Sequence, residues 1–298
     1  MILLFGANGQ LGQEMVRAGA ARKVPLVALS HAEADIADAG AVRDAIVRHK
    51  PALAVNAAAY TKVDLAEKEI EAARAANEIG PALLGDACNT AGIPLVHIST
   101  DYVFDGTKPA AYVETDEVSP ASSYGRTKEA GERALRAAAP RHVILRTSWV
   151  YGEFGANFLK TMLRLAATRD ELRIVADQRG CPTSTLDLAD AILSIAPRLI
   201  AGDVVWGTYH FAGSGVTTWH GFASRIVAAQ APVTGRHPRV TPITTAEYPL
   251  PARRPANSEL DCGLFERTFG IRARPWTEET DRITRALTAQ VGTTQHVA

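Results

Sequence analysis

The chain has 298 residues, 47% of them hydrophobic and 21% charged, and its 32 basic and 32 acidic side chains cancel to a formal net charge of zero. That composition supports a sizeable core and excludes the disordered class. The zero balance gives no electrostatic footprint for nucleic acid or an anionic membrane, so an anionic substrate would have to be recognised locally.

The opening MILLF (1–5) is too short for a signal-peptide core and runs straight into glycines. Further apolar runs at 24–30, 52–58, 93–99 and 142–148 are continuous rather than alternating, as in parallel strands covered on both faces. Helix-like stretches at 10–22, 38–49, 66–91 and 121–138 alternate with them. This order predicts βαβ units with right-handed crossovers, hence an α/β fold built on a Rossmann-type doubly wound parallel sheet. Residues 99–121, rich in Asp, Gly, Pro and Thr, predict an active-site loop at the carboxyl end of the fourth strand.

After about residue 150 the pattern changes. A helix is expected near 155–168, then a loop through RIVADQRGCPTST to a helix from Leu186. A strand is expected in WGTYHFAG, a helix in TTWHGFASRIVAAQ, and a proline-dense loop over 231–258 with one strand at 239–243. Two short helices and a frayed tail, VGTTQHVA, are expected to close the chain. No apolar stretch reaches the roughly 18 residues that a membrane helix needs. Cys88, Cys181 and Cys262 lie far apart with no C-x-x-C, which argues for a reducing, cytoplasmic setting and against a disulfide framework or zinc site. The expected division is a dinucleotide-binding domain over 1–152 plus part of about 183–215, and a smaller C-terminal α/β substrate domain over about 153–182 and 216–298.

FGANGQLG places Gly6, Gly9 and Gly12, with Asn8, Gln10 and Leu11 between them, at the first strand–turn–helix junction. Glycines there allow a tight turn and let a phosphate approach free N–H groups at a helix N-terminus. The spacing is G-x-x-G-x-x-G, and the alternative is a glycine turn without a ligand. A Rossmann fold often places a carboxylate for the adenosine ribose at the end of the second strand. Here Ser30 and His31 stand there, with no acid before Glu33 and no arginine in 28–34, so NADPH or use of both NADPH and NADH is the reading. Asp35 and Ile36 could flank the adenine, although Asp35 equally suits a helix cap. Ala57, Ala58 and Ala59, followed by Tyr60, offer a smooth surface to a cofactor or to tight packing.

ISTDYVFDG brings Ser99, Thr100, Asp101 and Tyr102 to a strand end, where a hydroxyl can donate to a carbonyl oxygen or simply close a turn. SYGRTK then puts Tyr124 and Lys128 four apart, on one face of a helix. A free tyrosine has a pKa of about 10, and a nearby lysine cation lowers it. Such a pair can deliver a proton to a carbonyl oxygen as hydride reaches its carbon. Alone, Y-x-x-x-K is a common coincidence; its place after the glycine turn and the hydroxyl loop is what gives it weight.

GANGQLG, NAAAYTKVDLAE, STDYVFDG, SYGRTKEAGE, RTSWVYG, DQRGCPT and RRPANSELD run from the start to about residue 261. Together they resemble the extended short-chain dehydrogenases/reductases, and within them the dTDP-4-dehydrorhamnose reductase family. The resemblance implies NAD(P)H-dependent reduction of the 4-keto group of dTDP-4-dehydro-L-rhamnose to dTDP-L-rhamnose, for cell-surface polysaccharide. It makes Tyr124 the proton donor, Lys128 the residue that holds the nicotinamide ribose and tunes Tyr124, and Thr100 a partner of the reacting oxygen. Asp101 and Tyr102 would line the same loop, and Trp149 would pack on the sugar, its alternative being core filling at a strand end. Asn157, Gln178 and Arg254 would face the nucleotide, Arg254 offering a guanidinium to the diphosphate or else forming a surface salt bridge.

Some family members hold Mg2+ at a dimer contact through glutamates. Glu14 matches one such position, but Asp187 and Asp190 stand where more glutamates are expected, which leaves metal and homodimer open. Related 4,6-dehydratases carry Asp-Glu after the active-site threonine, whereas here Asp101-Tyr102 follows Thr100. Related 4-epimerases are generally longer at the C-terminal end. A non-catalytic dinucleotide-binding regulatory subunit is disfavoured by intact Thr100, Tyr124, Lys128 and Trp149.

Overall fold

The computed structural model describes residues 1–295, with side chains through Ala289. All four residues of β1 (Ile2–Phe5) are buried. Ile2 and Leu4 join one core cluster while Leu3 and Phe5 join another, so the strand is covered on both faces. α1 (Gln10–Ala21) packs on the first face, and α2 (Ala39–His49) buries Val42, Ala45 and Ile46 on the second. With β2 (Leu26–Leu29), β3 (Leu53–Asn56), β4 (Leu95–Thr100), β5 (His142–Thr147) and β10 (Gly207–His210), β1 forms a six-stranded parallel sheet. Its spatial order is β2, β1, β3, β4, β5, β10, so the winding reverses between β1 and β3. A crevice for a ligand is expected above the carboxyl ends at such a reversal.

The predicted helix over 66–91 is broken up. A 3-10 turn at Leu65–Glu67 precedes α3 (Ile70–Arg74), which runs through a π turn at Ala75–Ile79 into α4 (Gly80–Thr90). Pro81 is the cause: it has no N–H to give to the Asn77 carbonyl four residues back, and its ring crowds that carbonyl. The freed carbonyl is pressed towards α5 (Ser123–Ala138), where a Cβ on Gly131 would lie 1.9 Å from it. Gly131→Ala is therefore expected to cost about 2 kcal/mol or more, read as a lower midpoint in urea unfolding.

The second half begins with β6 (Val150–Tyr151) and α6 (Phe158–Ala166). β7 (Glu171–Val175) follows, where the sequence reading has only loop. It pairs in parallel with the expected strand, β12 (Arg239–Ile243), register Glu171 to Arg239. Periodicity over so few residues cannot reveal a partner so distant in the chain. β8 (Arg179–Gly180) and β9 (Thr183–Ser184) lead to α7 (Thr185–Ala201), which packs against α1. β11 (Thr217–Thr218) opens α8 (Trp219–Thr234), whose Phe222, Ile226 and Val227 share a separate core with Tyr151, Leu159 and Leu172. β13 (Asn257–Ser258) pairs with β8. α9 (Gly263–Phe269) returns to the sheet side, placing Phe265 in the core beside β10. In place of a second short helix, α10 (Trp276–Gln295) is long, so VGTTQHVA continues it to Gln295 and its last three residues lie outside the described residues. No helix among the described residues is long and apolar enough to cross a membrane.

Candidate active site

β1 ends in Gly6 at φ +91, a conformation that favours glycine. A Cβ there would lie 2.6 Å from the Ala58 amide nitrogen, and one on Gly12 only 2.1 Å from the Gly6 carbonyl. The turn is thus wedged between the Ala57–Ala58 backbone and the first turn of α1. Gly9 caps α1 without any side-chain hydrogen bond, leaving its N-terminal N–H groups to an anion. These features fit the pyrophosphate of a dinucleotide. Asn8 is exposed, Leu11 is buried in the core, and Gln10 accepts from the Asn157 side chain at 3.0 Å.

The second-strand end differs from the sequence reading. Glu33 folds back so that its carboxylate accepts from the Ser30 N–H (2.8 Å) and hydroxyl (2.7 Å), and these bonds hold it below its ordinary pKa. A carboxylate therefore does stand beside the end of β2. Asp35 caps only the turn at Ala37, while Asp38 caps α2 by accepting from Gly40 and Ala41. Ile36 is a core residue packed on Gly80. The Tyr60 backbone is gripped on both its N–H and carbonyl by Asn77, which also donates to Thr127. Asn77 has no signal in a single sequence, because its role arises from the π turn.

The catalytic candidates meet at the carboxyl end of β4. Ser122 caps α5 and Glu67 holds the Ser123 N–H and hydroxyl, fixing the helix start. Gly125 lets that turn approach the loop: a Cβ there would lie 2.2 Å from the Tyr102 carbonyl. Tyr102 and Tyr124 meet edge to face at 5.5 Å. The Thr100 hydroxyl donates to Asp101 (3.1 Å) and accepts from the Tyr102 N–H (3.2 Å). The same hydroxyl lies within hydrogen-bond reach of Tyr124.

Lys128 is turned towards β4, and its charge is not among the causes that shift Tyr124. Burial raises Tyr124 above its ordinary pKa, Asp101 adds to this, and the Thr100 hydrogen bond opposes it. The Lys128 Nζ instead points to the Ile98 carbonyl at 2.7 Å and the His97 ring at 3.4 Å. Burial pushes Lys128 down to about 8, against the charge of Glu132. Asp101, one of whose carboxylate oxygens is buried without a partner, is pushed up to about 6 by burial, against hydrogen bonds from Ser258 and Thr100. Below this cluster, Glu132 accepts from Ser99, Arg146 and Arg136. Burial alone would raise it, but Arg146 and Ser99 outweigh that and hold it below its ordinary value.

Beyond Tyr102 opens a cleft of about 1010 Å3. Phe158, Met162, Leu172 and Trp219 give it an apolar wall, Tyr248–Leu250 a rim, and Arg169, Arg173, Arg253 and Arg254 a cationic lining. Such a surface suits an anion with an apolar or aromatic part. Arg254 is clamped by Asp64 at 3.0 and 2.8 Å. Gln178 accepts from the Trp219 indole (3.2 Å) and donates to Thr245 (3.0 Å). Asn157 caps α6 through Lys160, and its amide nitrogen goes to Gln10 and the Gly152 carbonyl. Trp149, at φ +49, stacks on Trp219 at 3.7 Å and lies over Gly180. Of the two indoles it is Trp219 that lines the cleft, a residue the sequence reading placed only on a helix.

The residues around Glu14 do not fit a metal. One Glu14 oxygen accepts from Arg17 (2.6 Å), the other from Thr185 (3.1 Å). Arg17 also reaches Glu153, while Asp187 and Asp190 pair with Arg274 and Arg22. Guanidinium groups occupy the place of a cation, and among the described residues no three metal-ligating side chains converge.

A dinucleotide turn at the winding reversal, with a Tyr-x-x-x-Lys helix beside β4 and a cleft-forming second half, defines a short-chain dehydrogenase/reductase of the extended kind. Residues 1–289 match the family model described as the RmlD substrate binding domain. A dTDP-4-dehydrorhamnose reductase of Sinorhizobium fredii is 46% identical over 96% of this chain and 97% of that protein. The solved structure of one from Clostridium acetobutylicum superposes with a TM-score of 0.89 at 40% identity, covering 96% of this chain and 99% of that one. Another, from Bacillus anthracis in complex with NADP, gives 0.87 at 34% identity, with 95% and 97% covered. The chain belongs to the dTDP-4-dehydrorhamnose reductase family.

Proposed function

We propose that this protein reduces the 4-keto group of dTDP-4-dehydro-L-rhamnose to dTDP-L-rhamnose, using NADPH or NADH. The observation that carries the reading is Tyr124, partly accessible beside Thr100 and in edge contact with Tyr102, which lines the cationic cleft. The glycine turn, the α1 N-terminus and Ala57–Ala59 would hold the dinucleotide, which when bound supplies the hydride. Tyr124 gives its phenolic proton to the keto oxygen as negative charge develops there. Its raised pKa suits this role: the phenol is protonated through the neutral range, and a developing alkoxide is a stronger base than phenolate. Thr100 would hydrogen-bond the same keto oxygen, and Asp101 holds the Thr100 hydroxyl in place. Lys128 would hold the nicotinamide ribose, and Arg253 and Arg254 would face the diphosphate. The family activity of the relatives favours the reductase over dehydratase, epimerase and regulatory alternatives, as does the absence of a glutamate after Asp101.

The decisive measurement is NAD(P)H oxidation with dTDP-4-dehydrorhamnose against UDP- and GDP-linked keto sugars. Turnover confined to a non-dTDP sugar would sink the substrate assignment. Trp219→Leu is expected to raise the sugar-nucleotide KM roughly tenfold, about 1.4 kcal/mol, with cofactor KM unchanged. The same reading includes a cytoplasmic location, a dinucleotide domain joined to a substrate domain, no nucleic-acid or membrane partner, and a homodimer as an option that size-exclusion chromatography tests.

A further inference from the structure

Between the catalytic helix and the sheet lies a buried polar chain that the proposed chemistry leaves unused. The Ala58 N–H donates to Asn56 Oδ1 at 3.0 Å, which fixes the amide and turns its nitrogen to His97 Nδ1, also 3.0 Å away. Asn56 and His97 are wholly buried side by side on β3 and β4. An amide nitrogen only donates, so Nδ1 accepts, and a neutral imidazole then carries its hydrogen on Nε2. That Nε2 faces Lys128 Nζ at 3.4 Å, and Nζ also donates to the Ile98 carbonyl. An ammonium has three hydrogens and no lone pair, so it opposes the ring hydrogen. An uncharged amine accepts it and still donates to Ile98.

We infer that His97 is a positioning residue for Lys128: with its tautomer set by Asn56, it favours the uncharged amine while Lys128 lies against β4, and Lys128 gains a proton when it turns to acceptors on the nicotinamide ribose. This rests on the reading of Lys128 as the ribose-holding residue. Tyr124 lies one turn back on the Lys128 helix and Glu132 one turn ahead. Glu132 favours the cation, but its carboxylate is engaged by Arg146, Arg136 and Ser99. From β5, His142 adds a positive influence on His97, and burial followed by Lys128 and His142 keeps that ring neutral, well below its ordinary pKa. Burial leads at Lys128 too, consistent with its value of about 8.

The sign follows from linkage. Below pH 8 Lys128 is charged before and after binding; above it, binding takes up a proton, so affinity falls by about tenfold per pH unit. The test is NADPH affinity, by fluorescence titration from neutral to alkaline pH, for the wild type, Asn56→Asp and His97→Phe. In Asn56→Asp the new carboxylate accepts the Nδ1 hydrogen and leaves Nε2 as an acceptor. His97→Phe removes the opposing hydrogen and keeps a ring. In both, the pH at which affinity begins to fall is expected to rise by about one unit. Movement in both supports the assignment. Any other pattern overturns it, including movement in Asn56→Asp alone, which is charge and not tautomer. If circular dichroism shows the Phe variant unfolded, His97→Leu, which also removes the opposing hydrogen, takes its place with the same expectation. Absence of NADPH binding by the wild type at every pH would instead refute the cofactor reading.

Discussion

Tyr124→Phe is expected to lower kcat by about 100- to 10,000-fold while leaving NADPH affinity within about twofold of wild type. The ring keeps its edge-to-face contact with Tyr102, so the pocket survives and only the proton is lost. The magnitude is that of a positioned general acid whose proton is delivered as the keto oxygen gains charge. Stopped-flow single turnovers with saturating cofactor and keto sugar separate this from slow product release. Turnover near the wild-type rate would remove Tyr124 from the role of donor. Burial raises the Tyr124 pKa, which favours the protonated phenol that a proton donor needs.

Glu132→Ala should have the largest effect on stability, a loss of about 3–5 kcal/mol and a melting temperature lower by roughly 5–15 °C. Glu132 is wholly inaccessible and Arg146 only 3% exposed, and the two meet at 2.7 Å. One Arg146 nitrogen already lacks a partner, and its guanidinium lies over Phe104. Removing the carboxylate leaves a buried cation without compensation, together with an unpaired Ser99 hydroxyl. Replacing both charges, Glu132→Leu with Arg146→Met, should recover most of the loss, since an apolar pair of similar volume avoids desolvation. Scanning calorimetry of the single and double variants distinguishes this from simple loss of packing. A single variant as stable as the wild type would show that the pair is solvated in practice.

The parallel sheet was legible because its strands are continuous apolar runs, buried on both faces wherever they sit. The glycine turn was legible because Gly6 and Gly12 meet backbone so closely that no side chain fits. Tyr124 and Lys128 were legible because helical spacing places them on one face. Other features depended on contacts between distant segments. β7 required β12 to be recognised as a strand, and the π turn required Pro81 to act against Asn77. Glu33 reached the end of β2 only through the fold-back onto Ser30, three positions earlier.

By itself, then, the sequence determined the doubly wound sheet, the phosphate-binding turn and the face carrying tyrosine and lysine, all of which follow from local backbone geometry and burial periodicity. The electrostatic state of those residues was decided only by tertiary structure. Burial between α5 and β4 raises the tyrosine, lowers the lysine and sets the lysine against His97. The stacking of Trp219 on Trp149 beside the cleft was likewise set by the packing of α8 and not by any motif.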